Sequence, residues 1–152
     1  VPRARDQVIL TGADLTIADV EAVARHGARA ALDVHARDRM QEARDVIVRL
    51  VEQGEVVYGV TTGFGALADT VIPIDRMAEL QLALVRSHAA GLGPPVEREV
   101  VRAMMVLRTR SLAMGYSGAR PAVAEAIVTA NPTKRNSRRP RHRESGGSHV
   151  PV

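Results

Sequence analysis

Residues 57–65 read V-Y-G-V-T-T-G-F-G, and the rest of the chain is organised around this string. Three glycines stand within seven positions, at Gly59, Gly63 and Gly65. Glycine reaches backbone angles that side chains forbid, so the string predicts a tight loop over residues 58–70. Apolar residues recur at helical spacing on both sides of this loop. The sequence therefore predicts helices that are joined by a glycine-containing loop.

The first 30 residues predict a strand followed by a helix. Val8-Ile9-Leu10 is a short apolar run that predicts the strand. Thr16 and Asp19 are three residues apart and match a capping box, which is typical of the first turn of a helix. Gly27 is the predicted end of that helix, because glycine is the usual residue after a helix terminus.

The helix before the glycine loop is predicted to run from about His35 to Gln53, with Gly54 ending it. Apolar residues spaced three or four apart lie on one face of a helix and predict its buried stripe. Here the stripe consists of Met40, Ala43, Ile47 and Leu50.

The helix after the glycine loop follows Pro73, with Asp75 as its predicted cap. Glycines and prolines over residues 91–95 end it. A fourth helix is predicted over residues 96–114, and Pro121 fits the first turn of a fifth. The stripe of the third helix is Met77, Leu80, Leu84 and His88, and one face of the fourth carries Val96, Val100, Met104 and Leu107.

These patterns predict a mainly α-helical fold with one or two short strands near its start. Hydrophobic residues make up 45% of the chain, but only three are aromatic, so Val, Leu, Ile, Ala and Met must build the core. The first 130 residues are predicted to form one domain, since this length can bury a single core.

The segment from 131 to 152 differs in composition from everything before it. It holds six Lys and Arg residues against Glu144, a net charge of +5, and two valines are its only aliphatic residues. Such a segment buries too little apolar surface to offset the entropy of ordering, so we predict a basic disordered tail. The abrupt change at Asn131 leads to the hypothesis of a shifted reading frame.

Several classes of function are disfavoured by composition. The chain has no cysteine, its histidines other than His88 lack metal-ligand spacing, and its glycines match no nucleotide-binding fingerprint. No apolar run approaches the ~20 residues of a membrane span, and V-P-R-A-R-D-Q at the start lacks the apolar segment of a secretory signal. A cytoplasmic protein with no metal and no membrane contact is the resulting expectation.

Two further strings accompany the glycine loop. Residues 86–93 read R-S-H-A-A-G-L-G, and residues 115–121 read G-Y-S-G-A-R-P. Together the three strings resemble the aromatic amino acid lyase family, and within it the histidine ammonia-lyases. The resemblance covers residues 8–130, and it departs at Thr61, where many members carry Asn. It implies the helical amino-terminal part of the ammonia-lyase fold.

The resemblance implies a role for each candidate site residue. Tyr58 is the expected base that removes the substrate β-proton, which a phenol can do only where its surroundings favour the phenolate. His88 is expected to contact the substrate side chain and Gly65 to bind substrate. An imidazole favours L-histidine as substrate, with L-tyrosine possible. Arg120 has two readings, a partner for a carboxylate or a structural residue at a helix start.

Purely structural interpretations of Tyr58 and His88 are also open. A tyrosine before a glycine loop is commonly a packing residue. A histidine on an apolar stripe, as His88 is, is commonly a core residue with satisfied hydrogen bonds. The resemblance to the family rests on the strings at residues 57–65 and 86–93 and not on Tyr58 or His88 alone.

The family's electrophile is a methylidene-imidazolone formed from an Ala-Ser-Gly tripeptide, without metal or external cofactor. Neither ammonia nor an unactivated β-proton leaves easily, so an electrophile has to withdraw charge. The 152 residues contain no Ala-Ser-Gly, and the nearest string is Glu144-Ser145-Gly146-Gly147. We therefore expect the chain as given to be truncated before the electrophile and inactive alone in converting L-histidine to urocanate and ammonia.

Two alternatives to an enzyme fragment follow from the same residues. Family members form homotetramers that complete each active site across subunits, so the chain could be a non-catalytic partner of a full-length lyase. The basic tail could instead bind nucleic acid through salt-dependent charge contacts, weakly and without sequence preference because it has no aromatic residue to stack on bases.

Overall fold

Five α-helices and two short strands make up residues 6–131, the part of the chain that this computed structural model describes. The strands and helices follow in the order β1 (Gln7–Leu10), α1 (Ile17–Ala24), β2 (Arg29–Leu32), α2 (Val34–Glu52), α3 (Met77–His88), α4 (Arg98–Ala113) and α5 (Pro121–Ala130). Two 3₁₀ turns, Gly65–Leu67 and Ile74–Arg76, stand between α2 and α3. The prediction of a mainly helical fold with short strands near the start is confirmed.

The two strands pair in parallel, with Leu10 of β1 opposite Leu32 of β2. Along β1 the buried side chains are Val8 and Leu10, which alternate with exposed neighbours as a strand with one covered face requires. Helix α1 makes the crossover between the strands and packs against β1. The predicted strand at residues 8–10 is confirmed.

The predicted capping box opens α1. The Thr16 hydroxyl accepts a hydrogen bond from the Asp19 N–H at 3.2 Å, and the Asp19 carboxylate accepts one from the Thr16 N–H at 3.1 Å. Gly27 takes a positive φ of 79° just after the helix, as predicted. This turn lets the Ala28 N–H reach the Ala22 carbonyl at 3.0 Å and close the helix end.

Helix α4 lies at the centre of the packing, because it contacts α1, α2, α5 and both strands. Its buried residues are Arg102, Val106, Thr109, Leu112 and Ala113. Val106 joins a cluster formed with both strands and α1, whereas Leu112 packs with Met40 and Ala124. The apolar face identified from the sequence, which includes Val100 and Leu107, is exposed instead.

Helix α2 begins at the cap residue Asp33, whose carboxylate accepts from the N–H groups of the next turn. Of its predicted buried stripe only Met40 is buried, and the prediction is wrong for Ala43, Ile47 and Leu50, which are half-buried. The second half of the helix borders an open cavity and not the core, which explains the difference.

The predicted cap of α3 is also wrong. Asp75 lies inside the 3₁₀ turn Ile74–Arg76, and α3 starts at Met77 without any side-chain cap. No residue of α3 is buried: Met77, Leu80 and Leu84 are half-covered. Pro121 begins α5 as predicted.

None of the helices within residues 6–131 is both long and apolar enough to span a membrane. The predicted basic tail spans residues 131–152, and all of it after Asn131 lies outside the described residues. Its predicted disorder and the domain boundary at residue 130 therefore stay predictions.

Candidate functional site

The glycine loop is closed by a short antiparallel bridge between Thr62 and Val71. The Gly63 N–H donates to the Thr70 carbonyl at 3.1 Å, and the Ile72 N–H donates to the Thr61 carbonyl at 2.9 Å. Gly63 is buried in this closure, where an added Cβ would lie 2.6 Å from the Leu67 Cβ. The predicted loop is therefore a closed unit of defined shape.

Tyr58 stands at the surface of this loop, with 64% of its area exposed. Its ring meets the Phe64 ring edge-on, with centroids 6.2 Å apart and planes at 77°. Gly59 has a φ of +69°, and a Cβ there would lie 3.0 Å from the Phe64 ring. The loop thus exposes the Tyr58 phenol to solvent, and the glycine at position 59 leaves room for the Phe64 ring next to the backbone.

Gly65, the predicted substrate-binding glycine, opens the 3₁₀ turn that follows Phe64. Its φ is +57°, and nothing lies within 4 Å of the position that a Cβ would take. The backbone angle accounts for glycine here, while the open space around it leaves its backbone reachable.

His88 is the last residue of α3, and its side chain is exposed. Nδ1 lies 2.9 Å from the Leu84 carbonyl oxygen and 3.0 Å from the Ser87 hydroxyl. When Nδ1 carries the proton it donates to that carbonyl, and Nε2 of the exposed ring is then left as a hydrogen-bond acceptor. The reading of His88 as a core residue is wrong for the described fold.

The glycine loop, α3 and the third string meet at a cavity of about 530 Å³ beside α2. The loop contributes Gly59 and Val60, α3 contributes Met77 and Gln81, and the third string contributes Ser117 and Gly118. Tyr58, His88 and Arg120 do not line it. The fold therefore brings the first and third strings together with α3 at this cavity, but residues 86–93 of the second string and the side chains of Tyr58 and Arg120 do not line it.

Arg120 occupies the position just before α5, in an extended backbone conformation and with an exposed side chain. It makes no side-chain cap to the helix. Both readings of Arg120, as a carboxylate partner or as a helix-start residue, stay predictions. Across residues 6–131, no group of three or more His, Asp or Glu side chains is arranged to hold a metal ion.

Sequence reasoning missed Arg102, which is only 3% exposed. Its Nε donates to the Val23 carbonyl at 2.9 Å, and Nη1 has no partner among the described residues. Burial lowers the pKa of Arg102, and the nearby charge of Arg98 lowers it further. Arg102 lies four residues before Val106 on the packed face of α4, but this helix has apolar residues on two faces, so the sequence carried no signal that Arg102 would be buried.

Comparison with known proteins shows which family this chain resembles. Residues 15–133 match the family model of the aromatic amino acid lyases. The histidine ammonia-lyase of Streptomyces griseus is 50% identical over 121 residues, which cover 80% of this chain and 24% of that enzyme. The histidine ammonia-lyase of Treponema denticola is 42% identical over the same length.

Solved structures agree. The histidine ammonia-lyase from Trypanosoma cruzi superposes with a TM-score of 0.74 at 37% identity, and the tyrosine aminomutase from Streptomyces globisporus with 0.78 at 33%. Each match covers 82% of this chain and 24% of the other. The chain thus spans about a quarter of the length of the relatives that it matches. It belongs to the aromatic amino acid lyase family.

Proposed function

We propose that this chain is the amino-terminal part of a histidine ammonia-lyase, which converts L-histidine to urocanate and ammonia. The observation that carries the proposal is the exposed Tyr58 on a closed glycine loop, within a segment of 121 residues that is 50% identical to the Streptomyces griseus histidine ammonia-lyase. In this proposal the enzyme works in the cytoplasm as a homo-oligomer.

Tyr58 is the proposed base that takes the substrate β-proton onto its phenolate oxygen. His88 is proposed to hold the substrate side chain, because its Nε2 is an acceptor when Nδ1 donates to the Leu84 carbonyl, and an acceptor suits the N–H of an imidazole. Gly65 is proposed to offer backbone to the substrate at close range. L-tyrosine is the competing substrate, since a phenol can also donate to Nε2.

The family's methylidene-imidazolone withdraws electrons from the substrate amine when it is present. The 152 residues contain no Ala-Ser-Gly from which it could form. We therefore propose that the chain as given does not deaminate L-histidine alone, and that Tyr58 and His88 act only beside the remainder of a lyase.

A chimera tests the proposal. Residues 1–130 would be joined to the part of the Streptomyces griseus enzyme that follows its matched segment, and urocanate formation followed by ultraviolet absorbance. We expect urocanate from L-histidine, and a loss of about 10²- to 10⁴-fold in kcat for Tyr58→Phe. Tyr116→Phe is the matched control, because Tyr116 is also an exposed tyrosine.

Two outcomes would contradict the proposal. A folded chimera that releases neither urocanate nor ammonia removes the assignment. Equal activity in the Tyr58→Phe and Tyr116→Phe variants removes Tyr58 as the base. A preference for L-tyrosine over L-histidine would replace the proposed substrate, and His88→Phe is expected to weaken the use of either one.

The exposed apolar faces favour a second candidate, a non-catalytic partner of a full-length lyase. Val100 and Leu107 of α4 and Val20 of α1 line an apolar groove of about 460 Å³. A large exposed apolar patch is typical of a surface that another segment covers. Co-expression of the chain with an intact lyase tests this candidate, because mixed oligomers would carry both chains through purification.

A further inference from the structure

Two successive threonines carry the buried side chains of the stretch between residues 51 and 97, where the other side chains are exposed or half-buried. Thr61 is 6% exposed and Thr62 is 2% exposed, although the loop around them stands at the surface. Burying a hydroxyl without a partner costs free energy, so each must find a donor and an acceptor. Where those partners lie shows what the two hydroxyls hold in place.

The Thr61 hydroxyl links the Glu55 carbonyl and the Val57 N–H, which lie in the segment that leads into the loop. Its oxygen accepts from the Val57 N–H at 2.8 Å, and its proton goes to the Glu55 carbonyl at 2.7 Å. Both distances fall in the range of well-formed hydrogen bonds. The residue immediately before Tyr58 is therefore fixed by a side chain that follows it in the loop.

The Thr62 hydroxyl makes the corresponding contact on the other side of Tyr58. Its oxygen accepts from the Gly59 N–H at 3.2 Å, and its proton goes to the Gly63 carbonyl at 3.1 Å. The backbone N–H groups directly before and directly after Tyr58 are thus both bound by buried threonine hydroxyls. The tyrosine side chain itself is 64% exposed and meets the Phe64 ring edge-on.

The threonines are themselves anchored. The Ile72 N–H donates to the Thr61 carbonyl at 2.9 Å, and Thr62 pairs with Val71 in the bridge that closes the loop. The backbone on either side of Tyr58 is therefore tied, through two side chains, to the segment that leads into α3. An exposed phenol with little packing depends on its backbone for its position.

We infer that Thr61 and Thr62 are positioning residues that hold the backbone on both sides of Tyr58 and so set the direction of the phenol. The inference rests on the proposed role of Tyr58 as base. A misplacement of about 1 Å at a reacting group can cost on the order of 10²-fold in rate. Loss of either hydroxyl should therefore lower the rate of the reaction.

Amide hydrogen exchange on the 152-residue chain, followed by NMR, tests the contacts without any activity. Thr61→Val removes one hydroxyl, and we expect the Val57 amide to exchange about 3- to 10-fold faster. Thr62→Val should do the same at Gly59. Thr61→Ser and Thr62→Ser keep the hydroxyl and should restore slow exchange. Thr129→Val is the matched control, because its hydroxyl bonds to the Glu125 carbonyl at 2.8 Å far from the loop.

The chimera described above tests the effect on the base. We expect Thr62→Val to lower kcat by 10-fold or more with a small change in KM, and Thr62→Ser to recover it. Unchanged exchange at Val57 and Gly59 in folded variants would overturn the inference. So would a loss of kcat that follows only the folded fraction, or that serine does not restore. Failure of the unsubstituted chimera would count against the proposed function, while the exchange result would still decide the contacts.

Discussion

The packed part of the molecule and the glycine-loop part are held together by different forces. Within residues 6–131, eleven hydrophobic residues are buried; they lie on β1, α1, α2, α4 and α5 or, for Ala28, directly beside β2, and none lies between residues 51 and 97. In that stretch the buried side chains are those of Thr61 and Thr62, which are held by hydrogen bonds. The residues proposed for chemistry therefore stand on the part with the least apolar packing.

This difference has a physical consequence for α3. Met77, Leu80 and Leu84 form an apolar stripe that stays half-covered within residues 6–131. Hydrophobic burial is the main stabilising force of a helix in a protein, so α3 gains little of it here. Since relatives are about four times longer than the matched segment, we expect such stripes to be covered in a complete lyase.

The largest expected effect comes from one substitution made in both parts. Leu10 is 1% exposed in the core, whereas Leu82 on α3 is 49% exposed. Leu10→Ala should lower the free energy of unfolding by about 2–5 kcal/mol, because it leaves a cavity. Leu82→Ala should cost about 1 kcal/mol or less. Urea denaturation followed by circular dichroism measures both, and similar costs would show that the two parts are packed alike.

Two glycines with positive φ sharpen the comparison at the backbone. A Cβ on Gly12 would lie 2.6 Å from the Ala113 carbonyl oxygen, where the segment after β1 meets the end of α4. A Cβ on Gly54, at the end of α2, would meet nothing within 4 Å. Gly54→Ala should cost about 1–2 kcal/mol from the left-handed angle alone.

Gly12→Ala should cost about 1–3 kcal/mol more than Gly54→Ala, because a clash with backbone adds to the same strain. The difference between the urea midpoints of the two glycine variants measures the cost of the contact between Gly12, in the segment after β1, and the end of α4. Equal costs would mean that the α4 end can move away and that the core tolerates a looser fit there.

Features that depend on a few neighbouring residues could be predicted from the sequence. The Thr16 and Asp19 capping box and the start of α5 at Pro121 are confirmed, since each is decided within one turn. Strand β2 was not located, because Arg29–Leu32 has no β-branched residue and owes its conformation to pairing with β1. Its existence depends on a contact distant in sequence.

The packed face of α4 and the partners of the loop threonines lay beyond sequence reasoning. Helix α4 has apolar residues on two faces, and periodicity does not say which face meets β1 and α1. Thr61 and Thr62 gave one usable signal, since threonine hydroxyls commonly bind nearby backbone in turns. Which N–H groups they bind depends on how the loop closes.

A smaller effect is expected at the helix caps. Asp33 caps α2 by accepting from the His35 and Ala36 N–H groups at 3.0 and 3.1 Å. Asp33→Ala should cost about 1 kcal/mol, and Asp33→Asn should cost much less because asparagine also caps. Helix α3 has no side-chain cap at Arg76, so Arg76→Ala should leave the urea midpoint nearly unchanged. A cost at Arg76 equal to that at Asp33 would contradict this contrast.

The smallest effect is expected from the exposed ion pair between Arg25 and Glu99, whose Nε and carboxylate oxygen lie 3.1 Å apart and link α1 to α4. The hydrogen bond to Glu99 raises the pKa of Arg25, and the charges of Glu99 and Glu21 raise it further. A base with a raised pKa stabilises the fold at every pH below its unfolded value, and arginine titrates far above neutral. The contribution of Arg25 should therefore be constant from about pH 6 to 9, within the range where arginine stays charged.

A double-mutant cycle with Arg25→Ala and Glu99→Ala should give a weak coupling that salt removes, because exposed pairs are screened. A coupling that survives 1 M salt, where the screening length is about 3 Å, would show that the α1–α4 groove is shielded from solvent and already closed.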